Sequence, residues 1–141
     1  MRFMVIVKAN NDSEAGQLPD NDMLAAMGRF NEELAKAGIL LDLSGLHPSS
    51  RGSRVRFHGD GKTSVTDGPF PETKELIAGY WLLQCKSKEE CIQWVKRAPF
   101  GKDAELEIRQ VFELGDFEMS PEALATHERV GESLKAKSAS S

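Results

Sequence analysis

Apolar and polar positions along the chain fall into a readable series. Residues 2–8 (RFMVIVK) form a short apolar run rich in β-branched side chains, which predicts a strand buried on both faces. The polar stretch 10–20 (NNDSEAGQLPD) then reads as a long loop, a feature often tied to function. Met23, Met27, Phe30, Leu34 and Ala37 recur at spacings of four and three and predict a helix over 22–37. Asn21 or Asp22 is its expected N-cap and Gly38 its left-handed stop. Arg29, Glu32, Glu33 and Lys36 fall on the wet side.

Residues 39–46 (ILLDLSGL) predict the second strand, and 47–53 (HPSSRGS) a turn-rich joint. From Arg54 to His58 the pattern alternates, with Val55 and Phe57 on one face and Arg54, Arg56 and His58 on the other. Asp60-Gly61 is a hairpin signal, and 63–66 the returning strand. The prolines of 67–71 (DGPFP) lack N–H donors and interrupt any ladder. Residues 77–85 (IAGYWLLQC) predict the most hydrophobic strand. Ser87, with Glu90 three residues on, predicts a capping box opening a helix with Cys91, Trp94, Val95 and Ala98 inward; Pro99 ends it. Residues 105–113 alternate as a last strand, with Leu106, Ile108 and Phe112 on one face. Ser120 and Pro121 open a final helix with a thin apolar face of Leu124, Val130 and Leu134, and the closing 135–141 (KAKSASS) is expected to be disordered.

Strand, helix, strand, hairpin, strand, helix, strand is the split βαβ pattern written twice. It predicts an α+β, ferredoxin-like fold with an inserted β-hairpin, in a domain over 1–117 followed by a helix and tail over 118–141. Both helices must cover one sheet face. The first and third main strands are apolar on both faces, so the other face needs a cover too, and a second copy stacked sheet to sheet supplies it. A homodimer is expected on that argument.

The 141 residues suit one domain, and 40% hydrophobic with 28% charged residues is ordinary globular usage. A formal charge of −4 disfavours broad nucleic-acid binding. No apolar run reaches the length of a membrane span, and the short apolar start lacks a cleavage pattern, so a cytoplasmic location is expected. In that reducing compartment Cys85 and Cys91 stay thiols packed as small apolar groups. No phosphate-cradling glycine loop, GxSxG or HExxH occurs, so neither a cofactor nor a metal is expected.

Candidate chemistry centres on 67–71. Gly68 permits backbone conformations closed to other residues, and the flanking prolines stiffen the segment. Asp67 on such a loop can act as a general base, or simply brace its own loop amides. His47 can move a proton near neutral pH or brace a turn. His58 and Asp60 form an HxD pair, too few ligands for a metal site and more readily solvated turn residues. His127 lies on the final helix. Lys74 and Glu75 either orient an anionic ligand or form a surface ion pair. Arg54 and Arg56 either grip a carboxylate or stay solvated. Tyr80 and Trp81 point to opposite faces of their strand, so one joins the helix-side core and the other a cavity; Tyr80, with a hydroxyl to spend, is the better cavity residue. Gly68, Phe70, Lys74 and Trp81 are the expected ligand contacts, with Asp67, His47 and Tyr80 as the catalytic set.

An ordered set of motifs carries a family resemblance. Thr66-Asp67-Gly68-Pro69-Phe70, Glu72-Thr73-Lys74-Glu75-Leu76-Ile77 and Gly79-Tyr80-Trp81 resemble the signature of the YCII-related proteins of the DGPF type. Gly45-Leu46-His47-Pro48-Ser49-Ser50, Pro99-Phe100-Gly101 and the segment 107–113 match the same pattern. The resemblance implies a dimeric α/β barrel in a bacterial protein, often encoded near or fused to extracytoplasmic-function sigma factors. Some members carry a His–Asp pair with the histidine on the first helix; the helix over 22–37 has none. The function expected is binding of an unidentified small organic ligand, with cofactor-independent acid–base chemistry of an isomerase, lyase or hydrolase type. The alternative is a non-catalytic ligand-sensing or interaction module linked to sigma-factor regulation.

Overall fold

The computed structural model describes residues 1–139. They divide into two compact units, Met1–Val111 and Phe112–Ser141.

In the first unit a strand β1 (Arg2–Lys8), a single helical turn α1 (Asn11–Glu14), a helix α2 (Asn21–Lys36) and a strand β2 (Leu40–Gly45) come first. The hairpin β3 (Ser53–Gly59) and β4 (Lys62–Asp67) follows, then β5 (Ile77–Gln84), α3 (Lys88–Val95) and β6 (Leu106–Gln110). The main sheet has the order β2-β5-β1-β6 with every pair antiparallel. Each βαβ unit is therefore split: β5 lies between β1 and β2, and β1 lies between β5 and β6. This is the ferredoxin-like arrangement that the element order predicts.

Both helices cover one sheet face. Phe3 and Val5 of β1, Trp81 and Leu83 of β5, Phe30 and Leu34 of α2 and Cys91 of α3 form the buried core. Trp81 stands edge-on to Phe30 and Phe100, at centroid distances of 5.7 and 6.2 Å. Its indole N–H donates to Asn31 Oδ1 at 2.8 Å, so the ring's one polar atom is satisfied. The intervening residues Met4, Ile6, Ala78, Tyr80 and Leu82 point to the other face. They are half-buried, so β1 alternates rather than being buried on both sides.

Several boundaries differ from the periodicity. The loop after β1 contains α1, capped by Asn10 and Ser13 through reciprocal bonds. Asp20, not Asn21 or Asp22, caps α2 by accepting from the Met23 amide at 2.8 Å. Ser87 caps α3, but the Glu90 carboxylate reaches the Lys86 amide rather than closing a box on Ser87. Gly38, at φ +75°, and the hairpin tip, with Asp60 at φ +51° and Gly61 at +74°, take the left-handed geometry expected of them. β6 stops at Gln110, so Phe112, 68% exposed, does not continue its face. In the second unit Phe112 stacks obliquely on Phe117 at 4.7 Å. There α4 (Pro121–Ala139) absorbs most of the 135–141 segment, because Lys and Ala are strong helix formers; Ser140 and Ser141 lie outside the described residues.

Cys85 and Cys91 are buried free thiols. Burial pushes both up, Cys91 to about 12, and the Cys91 thiol donates to Cys85. The folded chain thus holds the Cys91 proton between about 9 and about 12, where an unfolded chain releases it. Stability should therefore fall as pH rises through that window. At pH 8 iodoacetamide should leave both thiols untouched in native protein and alkylate both in urea, as read by intact mass. Labelling of native protein at the urea rate would overturn the assignment.

Candidate functional site

The segment after β2 is irregular, since Pro48 has no N–H to give a ladder and Ser49–Arg51 form a helical turn, and it is pinned by one hydroxyl. Ser49 Oγ donates to Glu14 Oε2 and accepts from the Phe70 amide at 3.0 Å, while the Ser49 amide donates to Glu14 Oε1 at 3.0 Å. Glu14 closes α1, Ser49 opens the turn before β3, and Phe70 follows the hairpin, so this one serine joins three distant stretches of chain. The Gly68 amide donates to Gly52 O at 3.0 Å and completes the clasp. Gly68-Pro69 is a cis peptide bond.

Gly68 is required here for closeness, and its φ is not in the left-handed region. A Cβ built on it would lie 1.8 Å from the Ser49 carbonyl oxygen. The expectation of an unusual backbone conformation is thus replaced by a steric one.

The clasp borders an open hollow of about 450 Å³ whose lining residues are mostly exposed. Leu46, Phe70, Leu76 and Ile77 supply apolar wall, and His47, Arg51, Arg54 and Glu75 supply charged or polar edges. The Nη1 of Arg51 is 3.3 Å from both ring nitrogens of His47, so that one nitrogen is shared between them. The Arg54 guanidinium lies over the Phe70 ring, 3.8 Å from its centroid.

The sequence candidates separate. His47 and Phe70 line the hollow, and Gly68 shapes it from behind. Asp67 is off its wall: it is paired with Ser53 across the hairpin and accepts from Ser53 Oγ at 2.6 Å, so it braces, but not through its own loop amides. Tyr80 lies on the helix-free sheet face and donates to Asp42 Oδ2 at 3.0 Å. Trp81, 6% exposed, belongs to the core and not to the hollow. Lys74 is exposed in the turn Thr73–Glu75, off the wall and without an ion pair to Glu75. His58 bonds Ser64 Oγ at 2.8 Å. Among the described residues no three His, Cys, Asp or Glu side chains gather as metal ligands would, and no helix is long and apolar enough to cross a membrane.

Glu14, Ser49 and Arg51 were not legible as site residues. Glu14 sat in a stretch read as loop, and its contact with Ser49 spans 35 residues, which no local pattern encodes.

Comparisons with known proteins bear on the whole first unit. The family model described as YCII-related domain matches residues 1–115. An uncharacterized protein of Rhizobium meliloti (strain 1021) is 31% identical over 77 residues, 55% of this chain, and the match spans 61% of that relative's length. Among solved structures, 5-chloro-2-hydroxyhydroquinone dehydrochlorinase from Burkholderia phenoliruptrix AC1100, in complex with 2,5-dihydroxybenzoquinone, is 15% identical. That match covers 84% of this chain and 100% of that one at a TM-score of 0.46.

Proposed function

The chain belongs to the YCII-related family, and on the geometry of the hollow we propose that it binds a small organic molecule there and moves protons on it with its own side chains. The observation that carries this reading is an imidazole on the wall of an open hollow, beside the guanidinium of Arg51. Among the described residues Arg51 is the one group that bonds the His47 ring, and imidazole is the side chain suited to give and take a proton near neutral pH. Glu75, on the same wall and in no ion pair with a described residue, is the second group within reach of a bound molecule. In this reading Asp67 is a positioning residue that fixes Ser53 at the foot of the hairpin. The reaction is an isomerisation, elimination or hydrolysis.

Native mass spectrometry of freshly purified protein should find a bound compound of small-molecule mass. His47→Gln, at an exposed position, should fold normally and cut turnover of that compound by about 10²–10⁴-fold with binding little changed. Unchanged turnover in His47→Gln would remove the imidazole from the mechanism.

Pairing of two copies belongs to the same proposal. Met4, Ile6, Ala78, Tyr80 and Leu82 form an apolar stripe that α2 and α3 leave open, since both pack on the opposite face. Sedimentation at micromolar concentration should give a dimer, and Leu82→Glu should give a folded monomer. A wild-type monomer would end the pairing argument.

A further inference from the structure

The hollow holds two guanidinium groups that no carboxylate neutralises. Arg97 pairs with Glu33 and Arg109 with Glu107, whereas Arg29 and Arg56, like the two here, make no ion pair with a described residue. Arg51 and Arg54 differ in facing one concavity. Arg51 is steadied through one nitrogen, Nη1, at the imidazole of His47, and the guanidinium carbon of Arg54 lies over the ring of Phe70. Arg51 Nη1 is engaged by His47, but among the described residues no acceptor takes the other N–H groups of Arg51 or those of Arg54.

Five backbone donors around the hollow are consumed. The Ser49 amide goes to Glu14, the Phe70 amide to Ser49 Oγ, the Gly68 amide to Gly52 O, the Gly52 amide to Ser49 O and the Arg51 amide to Pro48 O. A phosphate is commonly cradled by backbone amides, and this loop has spent these. A multiply charged anion would also meet Glu75. The Glu14 carboxylate, by contrast, is engaged on both oxygens by Ser49. What remains are guanidinium N–H donors beside an apolar wall, which match a planar, singly charged carboxylate on a hydrocarbon body.

We infer that the ligand is an organic carboxylate, gripped by Arg51 and Arg54, with its apolar body against Leu46, Phe70 and Ile77. The inference rests on the reading of the hollow as the binding site. It adds the chemical class of the occupant.

Benzoate, benzamide and inorganic phosphate serve as probes, titrated into the full-length ¹⁵N-labelled protein while amide resonances are followed. Benzoate should shift Ser49, Gly52 and Phe70 at millimolar concentration, and benzamide should bind about tenfold more weakly or worse, since it lacks the charge. Arg51→Gln and Arg54→Gln should each weaken benzoate by about tenfold, with spectra otherwise native, and Arg51→Lys should recover only part, because it restores charge without the fork. Equal shifts by benzoate and benzamide at these residues would overturn the carboxylate and leave the hollow as a site. Phosphate binding more tightly than benzoate would overturn it in favour of a phosphate ligand. Benzoate and benzamide both leaving these resonances unmoved would overturn the site itself.

Discussion

Gly68→Ala should lose the clasp, because the new methyl has nowhere to go. Its Cβ would stand 1.8 Å from the Ser49 carbonyl oxygen and 2.6 Å from the carbonyl carbon. A flexible side chain could yield, but this neighbour is backbone, and it is held twice. The Ser49 amide and hydroxyl are both bonded to Glu14, and the hydroxyl also carries the Phe70 amide. Relief requires moving either the turn before β3 or the Gly68–Phe70 strap, and each move breaks bonds that close the hollow. The cost should reach the upper end of overpacking changes, about 3 kcal/mol. A urea titration should show a lower midpoint, and benzoate should no longer shift Phe70. An unchanged midpoint would mean that the two stretches are not packed together. Ser49→Ala is the milder companion. It removes one hydroxyl that joins Glu14 to Phe70, and it should cost about 1–3 kcal/mol through the half-buried Phe70 amide left without a partner.

The main sheet and its two covering helices follow from periodicity, because a strand or helix that buries one face must repeat its apolar residues at the period of that element. Met27, Phe30 and Leu34 on α2, and Cys91, Trp94 and Val95 on α3, do face the core as their spacing predicts. Asp60-Gly61 likewise specifies its own turn, since the residues at the tip need positive φ. The failures lie where local pattern is silent. α1 is one capped turn, too short to show a period. The expected last strand overruns β6 because the alternation runs on in the sequence past Val111, the last residue of the first unit, whose amide still bonds to Arg2 O.

At the site, the motif over 66–70 does mark the right region, but for a different reason. Asp67 is the residue whose chemistry attracts notice, whereas Gly68 and Phe70 are the ones that shape the hollow. Tyr80 and Trp81 alternate faces as a strand requires, yet periodicity cannot say that both faces lie away from the hollow at the sheet's end. Ser49 and Arg51 sit in a run that reads only as turn-forming, and Glu14 is brought to them by the path of the chain.

Trp81→Ala should be among the most damaging single changes, and its contrast with Trp81→Phe separates a core role from a ligand role. Trp81 is 6% exposed, wedged between Phe30 and Phe100, with its N–H satisfied by Asn31. It also occupies the centre of β5, opposite Val5 on one side and Leu43 on the other. Truncation removes the ring on which α2 and the Phe100 segment both rest, so collapse of the surroundings can fill little of the space. The expected loss is about 3–5 kcal/mol, read as a shift of the urea midpoint. Phenylalanine keeps an aromatic edge for Phe30 and gives up the indole N–H, but Asn31 is only half-buried and can turn to water. The loss there should be about 1–2 kcal/mol. Because the indole does not reach the hollow, Trp81→Phe should bind benzoate within about twofold of wild type, well inside the change expected on losing a charged contact. A Trp81→Phe protein that kept its stability and lost benzoate would return this residue to the ligand's wall.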